Sequence, residues 1–218
     1  SNDTINGANI SSSFFGNGGN DQIIGGSQAD TISGGPGNDT LTGGDGADMI
    51  TGGTGIDQLI GGSGNDVYQF YTGDILLGET ITEASNGGND TVAIYSSSDF
   101  SPLPATSLNE IEEINFSGIS QSATFKGSQL NGETILLSET NEGTSTLNIN
   151  IDETSSSFTN MTASTFDSGS DIINIIGTSS NDTINGANIS SSFFGNGGND
   201  QIIGGSQADT ISGGPGND

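Results

Sequence analysis

The chain has no cysteine, no histidine and no tryptophan, and Lys126 is its only basic residue. Each absence removes a class of explanation. Without cysteine there is no disulfide framework, so a fold exported to an oxidising compartment must be stapled in another way. Without histidine there is no Ser-His-Asp triad, no HExxH zinc site and no imidazole base. One basic residue supplies neither a phosphate clamp nor the counterion-displacing surface that nucleic acid demands. Anionic membrane surfaces repel such a chain. No apolar run approaches the roughly 20 residues that span a bilayer, and the N-terminus carries no basic region or apolar signal core. Membrane insertion and nucleic-acid binding are therefore not expected.

What the chain has instead is acid and glycine: 27 Asp plus Glu, a formal charge of −26 and 37 glycines in 218 residues. Sparse apolar residues and high net charge in a random arrangement predict disorder. Order must come from regularity, or from a ligand that binds only the folded form. Protein cations cannot neutralise the acid groups, so divalent cations are the natural partner.

Regularity is present at two lengths. Residues Ser1–Asp39 return without a change as Ser180–Asp218, which reads as a tandem array of long units, with the chain a segment of something longer. The finer repeat is nine residues long and follows G-G-x-G-x-D-x-U-x, with U apolar. In register, the units begin at Gly7, Gly16, Gly25, Gly34, Gly43, Gly52 and Gly61, and Gly177–Asn185 is a further whole unit. This pattern is that of calcium-binding parallel β-helices. The last three positions form a strand too short to stand alone. Its middle side chain points one way and its neighbours the other. The middle residues are Ile5, Phe14, Ile23, Ile32, Leu41, Ile50, Leu59 and Tyr68, the expected core. The first six positions turn the chain, and glycine permits the positive φ that such turns use.

Two nonapeptides then make a coil, with successive coils about 4.8 Å apart. One edge carries Asp3, Asp21, Asp39 and Asp57, and the other carries Ser12, Asp30, Asp48 and Asp66. Neighbouring carboxylates on an edge are expected to share a cation, with glycine carbonyls completing an all-oxygen shell. Such a shell favours Ca²⁺ over zinc or copper, and its flexible geometry suits Ca²⁺ better than Mg²⁺. An isolated Asp after glycine makes an ordinary Asx turn, but seven in one register are not explained that way.

These residues resemble the RTX family, the glycine-rich repeats of proteins exported by bacterial type I secretion. The resemblance covers Ser1–Gln69 and Gly177–Asp218. It implies an all-β, right-handed parallel β-roll, a solenoid that is disordered without calcium and folds on meeting it outside the cell. Carried over by position, the ligands are Asp3, Asp21, Asp30, Asp39, Asp48, Asp57 and Asp66, with Asp182, Asp200, Asp209 and Asp218 in the next copy. Ser12 replaces Asp, Ile10 replaces the fourth-position Gly, and Gln28 occupies another fourth position. Counting adjacent Asp pairs gives about five sites in the first block, with a weaker sixth near Asp30.

The organisation expected is a β-roll over 1–69, an irregular β region over 70–176 and the start of the next unit over 177–218. Asp90, in "NGGNDTVAI", is a further candidate ligand. No segment of 70–176 has a helical period, and its apolar runs recur every dozen or so residues. Further solenoid coils and a separate β-sandwich both fit. The coils are favoured because "DIINIIG" enters the next nonapeptides without a linker. "SPLPAT" is the expected interruption, since proline blocks ladder bonding. A carboxylate pair for glycoside hydrolysis is conceivable at Glu110 with Glu112 or Glu113. "NEIEEINF", however, alternates like a strand, and its glutamates are read as facing solvent.

The functional expectation is a non-enzymatic, calcium-binding structural repeat of an extracellular fibre, surface layer or matrix. Outward apolar residues (Ile24 and Ile60 on one face, Phe15, Met49 and Val67 on the other) suggest lateral self-association. An adhesin extender or ligand-binding module is one alternative, and a secretion and folding appendage of an exported enzyme is another.

Overall fold

The strand triplets predicted from the nonapeptide are strands in the computed structural model, which describes residues 1–85, 87–166 and 170–218. The described residues fall into two compact units: Ser1–Ser98 with Pro102–Asn115, and Asp99–Ser101 with Phe116–Asp218.

In the first unit, two parallel sheets are built from alternate strands. One runs Thr4–Asn6, Gln22–Gly26, Thr40–Asp45, Gln58–Ser63 and Thr80–Thr82; the other runs Ser13–Phe15, Thr31–Ser33, Met49–Thr51, Val67–Phe70 and Thr91–Ile94. Alternation between sheets makes each pair of strands a coil of a solenoid. The register stacks like on like. Ile5, Ile23, Leu41, Leu59 and Ile81 form one ladder; Phe14, Ile32, Ile50, Tyr68 and Val92 form the other. From Ile23 onward these side chains are buried, each contributing about 1.5–3 kcal/mol.

The glycines divide by position. The second-position Gly44, Gly53 and Gly62 lie at φ 112, 101 and 113, and the fourth-position Gly46, Gly55 and Gly64 at φ 114, 140 and 134. A side chain is strained there. Ile10 and Gln28, which replace fourth-position glycines, are outside the positive-φ set. Ile24, Phe15 and Met49 are exposed, whereas Ile60 and Val67 are half-buried.

In the second unit, the strands Ser122–Lys126, Thr146–Asn150, Ile172–Ile176, Ser192–Phe194 and Thr210–Ser212 pair in parallel. A second sheet orders Ser155–Ser157, Thr183–Asn185 and Gln201–Ile203, and Leu136–Glu139 pairs with Thr162–Ala163. Phe125, Ile149, Ile175 and Phe193 stack through it. The chain is thus nearly all β, with parallel sheets stacked as a β-solenoid in each unit, and among the described residues of 122–176 the strands pair in parallel rather than as an antiparallel sandwich. Among the described residues helix is confined to the four-residue turns Ala105–Leu108 and Gly127–Leu130. The first follows Pro104, where strand pairing lapses as the prolines predict. The second was not foreseen. It is fixed by Gln129, whose Oε1 accepts the Lys126 N–H at 2.7 Å and whose Nε2 donates to the Phe100 carbonyl at 2.9 Å.

Candidate metal centre

Each repeat aspartate sits immediately before its strand, at the outer edge of a coil, and its two oxygens have different surroundings. Oδ1 accepts the backbone N–H of the residue one coil earlier. Asp21 accepts from Asp3 at 2.7 Å, Asp39 from Asp21 at 2.7 Å and Asp57 from Asp39 at 2.8 Å. On the other edge Asp30, Asp48 and Asp66 accept from Ser12, Asp30 and Asp48, each at 2.8 Å. The edge continues through Asp90, which accepts from Asp66 at 2.8 Å, and ends at Glu112, which accepts from Asp90 at 2.8 Å. In the second copy Asp200, Asp209 and Asp218 accept from Asp182, Ser191 and Asp200.

Oδ2 has no such partner. In Asp21, Asp30, Asp39, Asp48, Asp57, Asp66, Asp90 and Asp200 it is buried without a hydrogen bond. It lies over the first-position glycine of its own repeat, beside the carbonyl of the matching glycine one coil later. A Cβ on Gly25 would stand 2.6 Å from Asp30 Oδ2 and 2.6 Å from the Gly43 oxygen, and Gly177 brings Asp182 Oδ2 and the Gly195 oxygen together in the same way at 2.8 and 2.6 Å. Gly16, Gly34, Gly43 and Gly195 repeat the arrangement. A carboxylate oxygen buried without a donor, as Oδ2 is in those eight aspartates, is unfavourable unless a cation lies there. The donor set is oxygen only and fits a hard divalent ion. Asp3 and Asp218 are exposed and Asp209 is half-buried; Asp182 additionally accepts the Thr178 N–H at 2.7 Å.

The electrostatics agree with this accounting. Burial, and then the neighbouring Asp21 or Asp30, pushes Asp39 and Asp48 above the usual carboxylate range. Asp57 and Asp66 are pushed up to about 6 by burial and by Asp39 and Asp48. The metal-free ladder holds charge it cannot neutralise.

Three further carboxylates join the ladders. Glu79 is fully buried and, through the Gln58–Thr80 register, follows Asp57 on its edge. Its Oε1 has no partner, and burial raises it to about 8. "GETIT" is the tail of a nonapeptide with Glu for Asp, a readable signal. "EEIN" at Glu112 is another, so Glu112 does not simply face solvent: its carboxylate serves the Asp90 amide. Glu83 had no such signal. Its Oε1 accepts the Tyr68 hydroxyl, and burial raises it to about 7. Asn86, the first residue of the stretch that carries Asp90, lies outside the described residues.

The family model for the RTX calcium-binding nonapeptide repeat (4 copies) matches residues 15–50, 42–74 and 192–218. No curated protein matches the chain, and no solved structure does. With its aspartate ladders over residues 15–74 and 192–218, the chain carries RTX calcium-binding nonapeptide repeats and is, over those residues, a calcium-binding repeat domain.

Proposed function

We propose that the chain is a non-catalytic structural repeat of an extracellular fibre, folding on Ca²⁺ after export, with units joined end to end into one continuous solenoid. The support comes from comparing its two identical copies. Ile10 is 65% exposed, whereas its counterpart Ile189 is 7% exposed. Phe14 is half-buried and Phe193 is fully buried. Sequence cannot cause the difference. What does is the preceding coil: Ser155–Ser157 pairs with Thr183–Asn185, and Asn174–Ile176 pairs with Ser192–Phe194. In an array, the same residues of a preceding unit cover Thr4–Asn6 and Ser13–Phe15. A solenoid stabilised by nearest neighbours gains from every added unit.

In this reading Asp21, Asp30, Asp39, Asp48, Asp57 and Asp66, with Asp3 at the open edge, hold about five cations between coils of the first block. Asp90 extends the set, and Asp182, Asp200, Asp209 and Asp218 serve the next unit. Bound calcium supplies the positive charge that the buried Oδ2 atoms lack. The chain's own part is to fix those oxygens through the Oδ1 bonds and to keep side chains away from the first-position glycines.

Far-UV circular dichroism of the whole chain, titrated with CaCl₂ and separately with MgCl₂, tests the reading. Parallel-β signal arising cooperatively with calcium, and reversed by EGTA, is the expected result. A spectrum already complete in EGTA would overturn it.

A further inference from the structure

The nonapeptide pattern ends after Gln69, and at that point the cage changes composition. Over Gly16, Gly25, Gly34 and Gly43, the oxygen facing the aspartate belongs to a glycine carbonyl of the next coil. Over Gly61 that place is taken by Glu83 Oε1, which converges there with Asp66 Oδ2 and with the Tyr68 hydroxyl. Asp90 closes the group: one carboxylate oxygen from each of Asp66, Glu83 and Asp90 lies within 4.8 Å of the others. The acidic cluster does not stand alone. Asp66 and Asp90 are 0% and 1% exposed, and the Oδ2 of each is buried with no hydrogen-bond partner. Their Oδ1 atoms are already committed to the Asp48 and Asp66 amides. Glu83 is held at its other oxygen by the Gly62 N–H at 3.3 Å, and its Oε1 by the Tyr68 hydroxyl. Three carboxylates thus meet where a nonapeptide cage has one carboxylate oxygen facing a carbonyl.

We propose that Asp66, Glu83 and Asp90 form a separate Ca²⁺ site that terminates the nonapeptide ladder, with Tyr68 positioning Glu83. It deepens the calcium reading above but uses a residue outside the repeat. Its higher ligand charge makes it a tighter site than the cages beneath it, since charge count tunes calcium affinity. It also places a buried phenol beside the cation, in a chain with three tyrosines and no tryptophan.

The test uses Tb³⁺, an oxygen-seeking surrogate, on the whole chain, with emission excited through tyrosine and bound equivalents counted by equilibrium dialysis. The wild type is expected to emit strongly. Glu83→Gln is expected to lose one bound equivalent and most of the emission while keeping its calcium-induced circular dichroism. Tyr68→Phe is expected to keep the equivalent and lose the emission, which gives a decision even where Glu83→Gln folds poorly. Unchanged count and emission in Glu83→Gln, or full emission in Tyr68→Phe, overturns this site and leaves the nonapeptide cages standing. Lack of calcium-induced folding in the wild type counts instead against the broader reading.

Discussion

Replacing Asp48 by asparagine and by alanine separates the roles of its two oxygens. In Asp48→Asn the amide oxygen still accepts the Asp30 N–H, but an NH₂ group stands where Oδ2 faces the Gly61 carbonyl. One calcium equivalent is expected to disappear in isothermal titration calorimetry, with the coil-to-coil bond retained. Asp48→Ala loses both, with a further cost of about 0.5–1.5 kcal/mol in urea unfolding at saturating calcium. Equal calcium counts in wild type and both variants would exclude Asp48 as a ligand. Protons offer a second handle. Asp57 and Asp66 titrate at about 6 and Glu79 at about 8 in the metal-free fold, above their ordinary 3.8 and 4.5. A raised folded-state value means stability that is full below the unfolded value and lost as pH rises through the folded one. The calcium-free chain, unfolded at pH 8 in this reading, is therefore expected to gain β-structure in circular dichroism as the pH is lowered from about 8 to about 4. A calcium-free β signal that is larger at pH 8 than at pH 4 would contradict the buried-carboxylate account.

Strand triplets are held by ladders of single side chains, so their energetics depend on having a neighbour on each side. Leu41→Ala removes a buried rung and is expected to cost about 2–5 kcal/mol. Ile5→Ala, at the open end, is expected to cost less than half as much. Ile184→Ala repeats the Ile5 change in an identical local sequence but at a fully buried site, and is expected to match Leu41→Ala. Equal costs for Ile5 and Ile184 in urea unfolding would mean that the coil before Thr183–Asn185 adds nothing. The triplets, their core residues and the edge positions of Asp21 through Asp66 were legible because one nine-residue rule generates them all. Asp90 could be read because "GGND" restates the rule. Glu79 and Glu112 follow the same rule with one longer side chain, and the strand alternation of "NEIEEINF" reads Glu112 as facing solvent instead. Glu83 could not be read at all: it reaches its place only because a 24-residue step between Asp66 and Asp90 lets a side chain substitute for a carbonyl. The helix at Gly127–Leu130 was hidden for a related reason, since four residues show no period.

Across the whole chain, the charge of −26 opposes compaction, and only cations within the coils offset it without adding basic residues. If units continue into one another as the two copies suggest, proteins of one, two and three tandem units in calcium are expected to lengthen by a constant increment per unit in small-angle X-ray scattering. A radius of gyration growing as for flexibly linked beads would reject the continuous solenoid. The exposed Ile10 and its covered twin Ile189 carry one more consequence, and it concerns heredity. Because the second copy opens with the same residues as the first, the strands that close a unit meet the same surface whichever copy follows, and recombination between copies can delete or duplicate whole units without creating an unmatched interface. Length is then free to vary between lineages, while every contact is inherited intact.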